Sequence, residues 1–152
     1  MRKRARRLLR LAALLVAVGL LALPFPASGA ALQPGGPTRT SGERLELKRY
    51  VAAGDRAYVI GAQSGGFPPM GWHIRGEMGG VWAHPIKLLD GYWFSLNRTW
   101  LTAAAEFTAG AGYVQFRFPA VDQIEVTRTE FSPDGSAIVL VGLTLHNSDS
   151  RP

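Results

Sequence analysis

Tyr113-Val114-Gln115-Phe116-Arg117-Phe118 alternates apolar and polar residues with a period of two. Val114, Phe116 and Phe118 fall on one face of an extended chain, with Gln115 and Arg117 on the other, so one face packs and one meets water. Outward from this stretch, Leu45 to Val51, Tyr58 to Ile60, Tyr92 to Leu96, Ile124 to Phe131 and Ala137 to Leu145 are further short β-prone runs. Gly and Pro punctuate the intervals, and no helical apolar stripe of useful length lies between them. The expectation is an all-β protein, an antiparallel β-sandwich.

Ser132-Pro133-Asp134-Gly135 has turn chemistry, with Pro presetting φ and Gly accepting positive φ, so residues 124–145 are expected to form a hairpin. Ala137 to Leu145 is apolar on both alternating faces, as in a central strand covered on both sides. Only the polar tail His146 to Pro152 follows it. An open apolar edge invites association, so the sandwich is expected to be incomplete at its C-terminal end. The alternative is that the run 45–51 closes that edge and the tail is an ordinary terminus.

At the other end, the cationic Met1 to Arg7 precedes the apolar run Leu11 to Leu23, and Ala27-Ser28-Gly29-Ala30 supplies small residues for cleavage. These are the parts of a secretory signal peptide, placed at residues 1–29, which predicts a secreted protein. As a helix, 13 apolar residues cover about 20 Å of a hydrocarbon core of about 30 Å, so a stable membrane anchor is not expected. Residues 30–43, rich in Pro, Gly, Ser and Thr, read as a flexible linker, and 44–152 as the sandwich domain.

The chain carries 17 Lys and Arg against 11 Asp and Glu, a net +6, but six of the bases lie within residues 1–30. The remainder is formally neutral and lacks the basic surface that binding to nucleic acid requires. With no cysteine, neither a disulfide nor a thiol nucleophile is available.

Residues 61–100 hold all four tryptophans, interleaved with glycines. Aromatic faces stack on the C–H faces of sugar rings, and Gly-rich loops can gather them on one surface. Trp72, His73 and Trp82 are the candidate carbohydrate contacts; filling of the core is the competing role for the aromatic set. Of the charged residues here, Arg75 and Lys87 are expected to pair with Glu77 and Asp90 and pin the loops. Two other roles compete for this segment, Glu77 with Asp90 as an acid–base pair and His73, Glu77 and His84 as metal ligands. Neither has a supporting spacing, so no catalytic residue, metal or cofactor is assigned.

Gly71-Trp72-His73-Ile74-Arg75-Gly76-Glu77, continuing through Trp82-Ala83-His84-Pro85 to Asp90-Gly91, resembles the N-terminal region of bacterial secreted glycogen-debranching-like or family 63-like glycoside hydrolases. Phe131 to Gly135 and Val141 to Asn147 fit the same pattern, so the resemblance spans about residues 48–147. It implies a β-sandwich that precedes an (α/α)6 barrel bearing the catalytic carboxylates, and hence a fragment without catalytic machinery. The role implied is to support that barrel and contact carbohydrate. The alternative is a free-standing secreted carbohydrate-binding module.

Overall fold

Phe116 is fully buried, and the alternation around it sets one wall of the core. In a computed structural model that describes residues 36–71 and 75–148, Tyr113–Val121 is one strand of a five-stranded antiparallel sheet. Residues 1–35 lie outside the described residues, and with them the signal peptide expected at 1–29. In chain order the strands are β1 (Arg39–Ser41), β2 (Arg49–Ala53), β3 (Tyr58–Ala62), β4 (Gly80–Ala83), β5 (Ile86–Leu89), β6 (Ser95–Leu96), β7 (Thr99–Trp100), β8 (Glu106–Gly110), β9 (Tyr113–Val121), β10 (Ile124–Phe131) and β11 (Leu140–Asn147). One sheet runs β1-β8-β9-β10-β11, a second runs β2-β3-β4-β5, and β6 and β7 form a small ribbon. Every pairing is antiparallel. The protein is all-β, as its alternation predicts.

The two larger sheets face each other across one core. Phe107, Val114, Phe116, Phe118 and Val126 enter it from one side, and Tyr50, Ala52, Val59 and Val81 from the other. Tyr50 meets Phe116 edge-on at 5.0 Å between ring centroids and 72° between planes. Each side chain of this size, once fully buried, contributes about 1.5–3 kcal/mol, and in the absence of disulfides this area carries the fold.

Charges interrupt the apolar face of β10. Val126, Arg128 and Glu130 alternate inward, and the last two are 1% and 0% exposed. Arg128 Nε lies 2.9 Å from Glu130 Oε1. Arg128 Nη2 donates to the Gly65 carbonyl at 2.8 Å, its guanidinium lies 4.3 Å from the centre of the Phe116 ring, and the Tyr50 hydroxyl donates to Glu130 Oε2 at 2.8 Å. The pair is tolerated because aromatic faces and a carbonyl replace the water that burial removes.

Several boundaries differ from expectation. Leu45–Leu47 winds into a single 3-10 turn entered through Arg44 at φ 51°, so the strand begins only at Arg49. Of Tyr92 to Leu96, only Ser95–Leu96 pairs, because Tyr92 and Phe94 turn onto the core instead. Arg39–Ser41, inside the stretch read as a linker, pairs with the outer edge of β8. The hairpin of residues 124–145 is present as β10 and β11, but the strand starts at Leu140. Before it, Ser132 Oγ sits 2.8 Å from both the Ala57 and Ile138 carbonyl oxygens and holds the turn.

The role of the last strand also requires correction. β11 is an edge strand and not a central one: β10 flanks it on one side, and no strand of the described residues flanks it on the other. β2, the segment that would have closed this edge, pairs with β3 in the opposite sheet. Ile138, Leu140, Leu143 and Leu145 accordingly keep 40–54% of their surface exposed.

Candidate functional site

The loop after β3 and the segment after β5 form the two walls of an open cleft of about 400 Å3. Phe67, Pro68, Pro69, Arg75, Gly76 and Gly79 come from the first, and Asp90 and Trp93 from the second. Gly91 lets the walls meet, since a Cβ there would lie 2.7 Å from the Phe67 ring. Phe67 in turn packs edge-on against Tyr92 at 4.9 Å and Trp93 at 6.1 Å. The Met78 amide donates to the Met70 carbonyl at 2.9 Å and ties the far end of the loop.

Lys87 locks this arrangement. Its ammonium reaches Asp90 Oδ1 at 2.6 Å and donates to the Gly76 carbonyl at 3.2 Å, joining one wall to the other. Of the four charges Arg75, Glu77, Lys87 and Asp90, the last two are brought together. Arg75 and Glu77 make no ion pair among the described residues, and both are exposed. Arg75 lines the cleft, exposed to solvent.

Of the three candidate sugar contacts, Trp72 and His73 lie outside the described residues. Trp82 sits on β4, where its ring is already engaged: Tyr58 stacks parallel to it at 6.4 Å, Lys87 lies 5.8 Å from its centroid, and its Nε1 donates to the Met78 carbonyl at 3.2 Å. Trp82 does not line the cleft. The aromatic that does is Trp93, 53% exposed, with Phe67 behind it. Alternation over Trp93-Phe94 shows that one of the two turns inward, but the pairing partner needed to decide which comes only from the fold. Phe94 packs on the core and Trp93 faces out.

Asp90 and Glu77 are both exposed, and Asp90 pairs with Lys87. Asn97 of the sequon Asn97-Arg98-Thr99 uses its side-chain amide on Asp122 Oδ2 at 2.8 Å. A second, smaller groove of about 200 Å3 runs beside the exposed Trp100, lined by Leu101, Phe118 and Val121.

The strongest electrostatic perturbations lie in the buried cluster and not in the cleft. Desolvation pushes the Glu130 carboxyl above its ordinary 4.5, against the pull of Arg128 and the tyrosines. Burial, reinforced by the Glu130 charge, pushes the Tyr50 and Tyr92 hydroxyls far above 10, so both stay protonated. These groups are sealed from solvent and serve packing. Comparison of the chain with protein-family models, curated proteins and solved structures finds no match to any of them.

Proposed function

We propose that this protein is a non-catalytic β-sandwich that contacts carbohydrate, acting as an accessory domain of an exported α-glycosidase-like protein whose catalytic carboxylates lie in a barrel outside this chain. The observation that carries the reading is the cleft in which the exposed Trp93 stands opposite Arg75 and Gly76, braced by Lys87 and Asp90. An aromatic face accepts the C–H face of a sugar ring, while Arg75 and the exposed oxygens of Asp90 reach its hydroxyls. Such a site binds and orients a glycan without placing an acid and a base across a glycosidic bond.

The test is titration calorimetry against maltooligosaccharides, with affinity electrophoresis in glycogen. The protein is expected to bind without hydrolysing. Trp93→Ala is expected to weaken binding roughly 10-fold or more, the scale of one lost stacking contact, with only a small fall in melting temperature because the ring is half exposed and its one aromatic neighbour among the described residues is Phe67. Failure of every glycan to bind, or indifference to Trp93→Ala, overturns the assignment.

A further inference from the structure

Four strands bound the two sheets, and three carry features that discourage pairing with another chain. β1 is three residues long and begins at Arg39, β2 begins at Arg49, and β5 is four residues long with Lys87 inside it. β11 has eight residues, and the run Ala137 to Asn147 contains no Lys, Arg, Asp, Glu or Pro. A long, flat, uncharged edge with open backbone donors and acceptors is a template for another strand. Its register with β10 sets Val141 beside Glu130, Leu143 beside Arg128 and Leu145 beside Val126. These three therefore share the inner face of the sheet, and Leu143 and Leu145 remain uncovered there. At the start of β11, an apolar groove of about 340 Å3 separates it from β5, with Leu88 and Leu89 on one bank and Ile138 and Val141 on the other.

We propose that β11 is a dimer interface, on which a second copy of this chain adds its own β11 antiparallel. A twofold axis normal to the sheet through Leu143 sets this residue against itself and Val141 against Leu145 of the second copy. Six aliphatic side chains then cover one another on the inner face, and the two five-stranded sheets become one sheet of ten. The absence of charge on β11 is what suits it to its own copy, because no like charges meet in that register. In this register the inner-face side chains that each copy contributes are Val141, Leu143 and Leu145, the last two 40% and 54% exposed in the single chain. The inference is independent of the sugar cleft.

Sedimentation velocity of the full chain is the direct test, with the Leu11–Leu23 run present in wild type and variants alike. A dimer is expected at micromolar concentration. Leu143→Lys or Leu145→Lys is expected to weaken it roughly 10-fold or more while leaving the circular dichroism unchanged, since both positions are already exposed. Because the chain has no cysteine, Leu143→Cys provides a single thiol and is expected to form a disulfide-linked dimer on mild oxidation, whereas Val51→Cys on the exposed face of β2 is not. A monomeric wild type, an assembly indifferent to both lysine variants, or equal cross-linking at the two thiols overturns the proposal. So does an edge found filled by a strand of a different protein.

Discussion

Arg128 and Glu130 show what a buried ion pair does and does not contribute. Removing one partner leaves the other charge in an apolar site, and Arg128→Met is expected to cost about 3–5 kcal/mol in urea denaturation. Replacing both, Arg128→Met with Glu130→Leu, is expected to recover most of that loss. Glu130 also makes stability depend on pH, with a sign opposite to that of an ordinary salt-bridged carboxylate. Its folded pKa is raised above 4.5, so the stabilisation from the protonated form is complete below 4.5 and is lost as pH rises through the folded value. The difference in stability between wild type and Glu130→Gln, followed from pH 4 upward, is expected to move against wild type across that window. None of this was legible in the sequence. A period-two reading places Val126, Arg128 and Glu130 on one face, but charge argues that this face is wet, and only the aromatic lid shows that it is not.

Among the elements, β10 was readable to the residue and β9 from its first residue, because alternation and flanking turns agree there, although β9 runs three residues past Phe118 to Val121. The hairpin turns were harder. Asp122 and Gln123 both have positive φ, 49° and 65°, as do Asn97 and Arg98, at 47° and 67°. These are the conformations of tight hairpin turns that Asn-Gly or Asp-Gly usually announce, and here no glycine marks them. Gln123 carries the strain of a left-handed conformation, so Gln123→Gly is expected to raise stability by about 0.5–1 kcal/mol, measurable as a shift in the denaturation midpoint. Its carbonyl, which accepts from Ser148, is unaffected by that change. β4, β5 and β8 escaped the sequence reading for another reason. They are only four or five residues long, so they offer too few alternations to register. The cleft inherits the same difficulty: Lys87 and Asp90 were recognisable as a pair, but Trp93 became a site residue only through its placement after β5.

At the scale of the molecule, the unbalanced feature is apolar surface. Seven aliphatic side chains of β5 and of residues 138–145 stand 40–62% exposed, at two sheet edges that share a groove. Monomeric proteins seldom leave contiguous apolar patches beyond a few hundred Å2 uncovered. Dilute protein is therefore expected to bind a hydrophobic dye strongly, and the signal per chain is expected to fall as concentration rises and β11 becomes covered. Weak dye binding at every concentration would show that these side chains are covered within the single chain.

The connectivity of the sandwich also has a consequence for synthesis. Each large sheet is built from strands consecutive in sequence, β2 to β5 and then β8 to β11, with only the short β1 reaching across. The first meander is complete at Leu89, while the sheet that covers its inner face is not finished until Asn147, 58 residues later. At translation rates of about 5–20 residues per second, Tyr50, Ala52, Val59 and Val81 wait roughly 3–12 s for their partners. Hairpins close in microseconds, so this delay and not strand pairing sets the interval of greatest vulnerability. During it, the half-finished sandwich depends on whatever holds nascent chains apart.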